Sequence, residues 1–256
     1  NGPRAYAEAV GTYLGLGIGR LANRLATICV WNTSGEKVEQ VFGRQAIPMT
    51  WDFPEANPLS ESTGSWSGGI SWIPKVIEAL PASPRGNSLQ LDSMTQSKSQ
   101  NKIVSTDPPY YDNIGYADLS DFFYLWHRKS LGRIFPSFFG TVAVPKAEEL
   151  IATPYRHGSP EKAEEFFLDG MSKAMKQISG NSHVAFPISL FYAFKQSEGR
   201  GEKEISSTGW ETFLEAVIRA GFSIEGTWPL RTERNQGLKT GTNSLASSIL
   251  LVCRKR

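Results

Sequence analysis

The chain has 256 residues, of which 40% are hydrophobic and 20% are charged, and its formal net charge is +2 at pH 7. These totals are typical of a folded globular protein with one large domain or two small ones, and they exclude global disorder. Because the charge is nearly balanced, any nucleic-acid binding must come from local basic patches. No apolar run approaches the ~20 residues that cross a bilayer, so we predict no membrane association.

The two cysteines indicate the compartment. Cys29 and Cys253 are far apart in the sequence, and each lies in an apolar run. This is typical of buried, reduced thiols and predicts a cytoplasmic protein. No charged-then-apolar signal peptide opens the chain. Since the first residue is Asn1 and not Met, we expect the sequence to begin inside a longer protein.

The N-terminal part is predicted to be helical. Residues 3–31 carry apolar side chains at three- and four-residue steps, which indicates one face of a helix. Residues 15–20, Gly-Leu-Gly-Ile-Gly-Arg, superficially resemble the glycine-rich turn of a cofactor site. Such a turn should follow a buried strand, whereas this one lies inside a helical pattern. We therefore favour a helix that another helix approaches closely, and we predict a helical, loop-rich segment over residues 1–87.

From residue 88 onward, strand and helix patterns alternate, as an α/β sheet requires. Strands are predicted at residues 88–91, 102–106, 184–194, 222–230 and 245–253. Helices are predicted at residues 118–131, 160–178 and 209–220. The last two strands are joined by a polar loop without a helix. This predicts a β-hairpin at one edge of an otherwise parallel sheet.

The chain is organised around the tetrad Asp107-Pro108-Pro109-Tyr110. A predicted buried strand ends at the two prolines, which cannot continue a sheet ladder, so Asp107 and Tyr110 are left at its carboxyl end. Ligands bind at that edge of open α/β sheets. An acidic acceptor, two stiff residues and a flat ring are suited to a planar base with an exocyclic amine. The alternative interpretation is an ordinary turn.

The tetrad resembles the Asp-Pro-Pro-Tyr signature of amino-methyltransferases that modify adenine N6 or, less often, cytosine N4. The resemblance continues through residues 111–124 (YDNIGYADLSDFFY) and is similar to the large adenine-specific DNA methylases of bacteria and archaea. It also reaches residues 44–58 and 244–256. The resemblance implies the Rossmann-like sheet of a class I S-adenosylmethionine-dependent methyltransferase, with residues 88–256 as the C-terminal part of its catalytic domain.

The same resemblance implies roles for individual residues. Asp107 and the carbonyl of Pro108 would accept the two N–H bonds of the adenine amine, and Tyr110 would stack on the extruded base. Stacking returns ~1–3 kcal/mol per base, so phosphate contacts must supply the rest of the cost of flipping. Asp107, Pro108, Pro109 and Tyr110 are the candidate catalytic residues. Asp92, at the end of the preceding strand, would lie near the adenine moiety of the methyl donor.

Further residues are candidates for contact with the base or with DNA. They are Tyr111, Asn113, Tyr116, Arg231, Arg234 and Lys239. For the two tyrosines, a place in the core or the pocket wall is the favoured alternative. The three basic residues could equally form a solvated loop or neutralise phosphates. The histidines lack ligand spacing, so no metal site is predicted.

One part of the expected enzyme is missing from the sequence. The resemblance implies a glycine-rich loop of the Asp-Pro-Phe-x-Gly type for S-adenosylmethionine, and no such segment occurs. We therefore expect the C-terminal portion of a longer enzyme that methylates adenine N6 in DNA. This portion would keep the target-base half of the site and lack most of the cofactor half, and the missing N-terminal part is a candidate partner. The alternatives are methylation of cytosine N4 or of an RNA amine, and a non-catalytic, partner-dependent DNA-binding subunit.

Overall fold

The chain is a mixed α/β protein. The structure is a computed structural model and describes residues 2–43, 46–47, 49–62, 64–80, 83–84, 86–112, 114–194, 203–230 and 247–256. These residues form two compact units, the first comprising Asn1–Asn87 with Gly115–Glu149 and the second Ser88–Ile114 with Leu150–Arg256. We call them the helical unit and the sheet unit. No helix in the described ranges is long and apolar enough to cross a membrane.

The helical unit is built around two long helices. Its elements are α1 (Pro3–Leu25), β1 (Trp31–Asn32), β2 (Lys37–Val38), α2 (Trp66–Ile70), α3 (Trp72–Ala79) and α4 (Tyr116–Leu131). The short strands β1 and β2 pair antiparallel. A small core of Cys29, Val38 and Val41 is fully or almost fully buried, and Phe42 and Phe122 pack against it.

Glycines allow α1 and α4 to pack closely, as the sequence predicts. A Cβ atom on Gly15 would overlap the side chain of Leu131, and one on Gly19 would lie 2.8 Å from Nε2 of His127. Both glycines are buried in an uninterrupted helix. The run at residues 15–20 is therefore a helix-packing surface and not a cofactor turn.

The sheet unit contains a mixed four-stranded sheet in the order β3-β4-β6-β5. Its elements are β3 (Ser105–Thr106), α5 (Pro154–His157), α6 (Pro160–Asn181), β4 (Ile188–Phe194), α7 (Lys203–Arg219), β5 (Phe222–Leu230) and β6 (Ser247–Lys255). Strand β3 is parallel to β4, whereas β6 lies between β4 and β5 and is antiparallel to both. The antiparallel pairing of the last two strands was predicted and is confirmed.

Helices α6 and α7 share one apolar core with the sheet. Ser159 caps α6 by accepting a hydrogen bond from the amide of Lys162, and Pro160 follows at the first helical position. Alternate residues of β4 face the core, with Ile188, Leu190 and Tyr192 at most 2% exposed. They belong to the same buried cluster as residues of α6, α7 and β6. This core supports the strand ends on which the tetrad lies.

Two predicted strands differ from the structure. Residues 88–91 form no strand, and Leu89 and Leu91 are 59% and 52% exposed. The predicted buried strand at residues 102–106 shortens to Ser105–Thr106, and Ile103 is 66% exposed. The physical reason is pairing: β3 is the outer strand of the described sheet, and residues 88–91 have no hydrogen-bonded neighbour there.

Candidate active site

The tetrad lies at the carboxyl end of β3. Because β3 and β4 are parallel, with Thr106 opposite Leu190, their carboxyl ends meet at one edge of the sheet. Pro108 is buried, Pro109 and Tyr110 are half-buried, and Asp107 is exposed. The prolines therefore anchor the turn while the carboxylate remains open to solvent.

Asp107 and Tyr110 are bonded to each other. The hydroxyl of Tyr110 donates to Oδ1 of Asp107 over 2.6 Å. Within the described part of the chain, Oδ2 of Asp107 and the carbonyl oxygen of Pro108 accept no hydrogen bond. Two acceptors beside a flat ring thus remain available to a ligand that carries N–H groups.

A layer of buried aromatic rings supports Tyr110. Its ring meets Tyr192 of β4 edge-on, with centroids 5.5 Å apart. Tyr192 in turn stacks on Phe213 of α7 at 4.1 Å, and its hydroxyl donates to the carbonyl of Gly209 over 3.5 Å. Burial, with smaller contributions from Asp112 and the neighbouring tyrosines, raises the pKa of Tyr192. Tyr110 therefore stands on a rigid support that links the tetrad to the core.

Tyr111 is packed against the core. Its φ of 54° is in the left-handed region, and its carbonyl accepts a hydrogen bond from the amide of Ala152 over 3.0 Å. The ring meets Phe167 edge-on at 5.2 Å. Burial, together with the charges of Glu164 and Asp112, raises its pKa to about 12. The chain therefore turns sharply directly after the tetrad. A contact of Tyr111 with DNA stays a prediction.

Gly209 of α7 makes room for the Tyr111 ring. A Cβ atom there would lie 3.0 Å from both Cγ and Cδ1 of Tyr111. Sequence reasoning did not identify Gly209 or Tyr192 as part of the site. A glycine inside a helical pattern indicates a close approach, and the alternation along β4 places Tyr192 on the same face as Leu190. Both signals are present in the sequence, but neither indicates that Gly209 contacts the ring of Tyr111 or that Tyr192 contacts the ring of Tyr110.

Asp92 lies in a turn of the sheet unit. Its Oδ1 accepts a hydrogen bond from the amide of Met94 at 2.8 Å, and its Oδ2 accepts one from the hydroxyl of Thr95 at 3.3 Å. The predicted strand before it is absent, so Asp92 does not stand at a strand end. Both carboxylate oxygens serve the turn in which they lie.

The remaining candidates belong to the helical unit or lie outside the described residues. Tyr116 is the first residue of α4 in the helical unit and is 42% exposed. Asn113, Arg231, Arg234 and Lys239 lie outside the described residues. Among the residues that are described, no group of three or more His, Cys, Asp or Glu side chains could hold a metal ion.

Comparisons with known proteins identify no relative of this chain. No family model matches the chain, and no curated protein and no solved structure matches it.

Proposed function

We propose that the chain carries the target-base half of an S-adenosylmethionine-dependent methyltransferase that modifies the N6 amine of adenine in DNA. The observation that carries this proposal is the arrangement of open acceptors in the tetrad. Oδ2 of Asp107 and the carbonyl of Pro108 have no described donor, and Tyr110 lies beside them on a buried aromatic support. These are the groups that the resemblance assigns to the amine and to the base.

The sheet order supports the same class of enzyme. Strand β6 lies antiparallel between β4 and β5, at the opposite side of the sheet from β3. A class I methyltransferase sheet, as the sequence resemblance implies it, is parallel except for a C-terminal hairpin. The described strands agree with the C-terminal half of such a sheet.

The chain's own residues can prepare the amine. The lone pair of an adenine amine is delocalised into the ring, so the nitrogen is a poor nucleophile. Asp107 and the Pro108 carbonyl would accept its two N–H bonds and favour a pyramidal nitrogen. Tyr110 would hold the extruded base by stacking, which contributes about 1–3 kcal/mol.

The described residues do not form a site for the methyl donor. Asp92, the only candidate for contact with it, uses both carboxylate oxygens in its own turn. We therefore assign the binding of S-adenosylmethionine to groups outside the described residues. Calorimetry with the 256-residue chain tests this assignment: we expect no tight binding, and micromolar affinity for S-adenosylmethionine would contradict it.

The test of the function itself is Asp107→Ala in the intact protein that contains this chain. Asp169→Ala is the matched control, because Asp169 is exposed on α6 and Lys173, one turn away, is its only ion-pair partner among the described residues. We expect N6-methyladenine, measured by mass spectrometry of nucleosides from treated DNA, to be lost in Asp107→Ala and kept in the control. DNA binding should be largely retained in both.

A second candidate is a non-catalytic, partner-dependent DNA-binding subunit, which the engagement of Asp92 favours. It predicts that Asp107→Ala changes nothing. A different substrate is the remaining alternative. If mass spectrometry detects N4-methylcytosine or a methylated RNA nucleoside in place of N6-methyladenine, the enzyme is still an amino-methyltransferase but its target is not adenine in DNA.

A further inference from the structure

The helical unit contains a cleft that the proposed methyl transfer does not use. It has a volume of about 390 Å³, within the range of small-molecule sites. Its lining comes from the last turns of α1, from Gln40, and from Glu61, Ser62, Gly64, Ser65, Trp66, Gly68, Gly69 and Trp72. All of its lining residues belong to the helical unit.

Two arginines make this cleft positive. Arg20 and Arg24 are four residues apart on α1 and both line it. Arg24 donates through Nη1 to the carbonyl of Val38, whereas Arg20 has no hydrogen bond or ion pair to any described residue. Like charges at this spacing are destabilising unless an anion lies between them. Guanidinium groups hold phosphate oxygens by paired hydrogen bonds.

The one acidic residue of the lining does not neutralise the arginines. Glu61 forms no ion pair with a described residue, and it lies in the loop that faces α1. The ammonium of Lys75 lies 4.8 Å from the ring centroid of the lining residue Trp72. The positive charge of the cleft therefore exceeds its negative charge.

Side-chain amides and an indole ring add groups that suit a base. The amides of Asn23 and Gln40 line the cleft and make no hydrogen bond within the described ranges. Each offers both a donor and an acceptor, as the edge of a nucleobase requires. Trp72 is 52% exposed and offers a flat surface for stacking.

We propose that this cleft binds a nucleotide, with its phosphate on Arg20 and Arg24 and its base beside Trp72 and the amides of Asn23 and Gln40. The nucleotide has two possible sources, a free mononucleotide and a unit of a single-stranded nucleic acid. Both offer the same phosphate and base. The cleft is independent of the tetrad, so it does not depend on methyl transfer.

The test uses the 256-residue chain with two probes, deoxyadenosine monophosphate and a fluorescein-labelled single-stranded oligonucleotide. Calorimetry measures the first and fluorescence anisotropy the second. Arg20→Ala removes a guanidinium that has no partner among the described residues. Arg4→Ala is the matched control, because Arg4 is an exposed arginine on the same helix that pairs with Glu8. Arg20→Lys keeps the charge without the planar fork. Thermal unfolding of each variant checks that the fold is intact.

We expect Arg20→Ala to weaken binding of at least one probe about tenfold or more, with Arg20→Lys intermediate and Arg4→Ala close to the unaltered chain. Deoxyadenosine without phosphate should bind more weakly than its monophosphate. Tighter Arg20-dependent binding of the oligonucleotide assigns the site to a strand, and binding of the mononucleotide alone assigns it to a free nucleotide.

Three results would overturn the proposal. One is the absence of saturable binding of either probe up to about 1 mM. Another is equal affinity in Arg20→Ala and Arg4→Ala. The third is loss of binding in Asp107→Ala but not in Arg20→Ala, which would assign the nucleotide to the tetrad.

Discussion

The hydroxyl of Tyr110 donates a hydrogen bond of 2.6 Å to Oδ1 of Asp107, and the proposed function gives the carboxylate of Asp107 and the ring of Tyr110 to the substrate. An amine that enters the site would compete with the phenol for Oδ1, while Oδ2 has no described donor. The roles of the hydroxyl and of the ring of Tyr110 can be tested separately by mutation.

Tyr110→Phe removes the competing hydroxyl and keeps the ring, whereas Tyr110→Ala removes both. We expect Tyr110→Phe to stay within about tenfold of the original rate of methyl transfer in the intact protein. Tyr110→Ala should weaken binding of substrate DNA by about 1–3 kcal/mol, because stacking on the base is lost. Fluorescence anisotropy of labelled DNA and nucleoside mass spectrometry measure the two effects. Equal loss in both variants would contradict a stacking role for the ring.

Gly209→Ala tests whether the close contact with Tyr111 stabilises the sheet unit. The new methyl group would lie 3.0 Å from the Tyr111 ring, which is held by Phe167. We expect a loss of about 1–3 kcal/mol in the free energy of unfolding, as for other overpacked cores. Gly180→Ala on α6 is the control, since nothing lies within 4 Å of its added methyl, and it should be neutral or stabilise by up to about 1 kcal/mol. Urea unfolding of the chain gives both values.

The stability of the chain should fall at alkaline pH through Tyr111. Its folded-state pKa is about 12, above the ordinary value of 10.0. The folded chain therefore keeps this proton while the unfolded chain loses it, so the contribution is complete below pH 10 and is lost as the pH rises towards 12. Tyr111→Phe should make this fall less steep without abolishing it, because burial also raises the pKa of Tyr192.

The buried thiol of Cys253 must be removed from that measurement. Its pKa is raised from 9.0 to about 11 by burial, so it titrates in an overlapping range. Melting temperatures of the Cys253→Ala chain, with and without Tyr111→Phe, isolate the contribution of Tyr111. If both chains lose stability with the same slope between pH 10 and 12, Tyr111 is not the group responsible.

Both cysteines should resist thiol reagents in the folded chain. Cys29 and Cys253 are free and 0% exposed, and burial raises the pKa of each thiol. For Cys253, a pKa of about 11 lowers the thiolate fraction at neutral pH about a hundredfold. We expect slow reaction with a disulfide reagent in buffer and complete reaction in denaturant. Single Cys→Ala variants assign each rate, and a fast native reaction would show that the site opens.

Local patterns were enough to predict most helices and strands. The predicted strand at residues 222–230 matches Phe222–Leu230, and the predicted start of α6 at Pro160 after Ser159 is confirmed. These elements have strong periodicity and clear capping or turn residues at their ends. The position of the tetrad directly after a strand was also predicted, because the prolines of the tetrad end that strand.

Contacts between distant residues explain what was missed. The leucines at 89 and 91 alternate as in a strand, but a strand forms only where a neighbour supplies hydrogen bonds, and the described chain supplies none there. Residues 115–149 belong with the N-terminal residues because α4 packs on the glycines of α1. The sequence shows those glycines without showing which helix will meet them.

The tetrad shows which features follow from the local sequence and which depend on tertiary packing. Its residue types and its place after a strand are local, so they can be read from neighbouring residues alone. The support of Tyr110 by Tyr192 and the contact of Tyr111 with Gly209 depend on groups up to about a hundred residues away. Such contacts form only when β4 and α7 pack beside β3, because packing and not sequence order brings these side chains together.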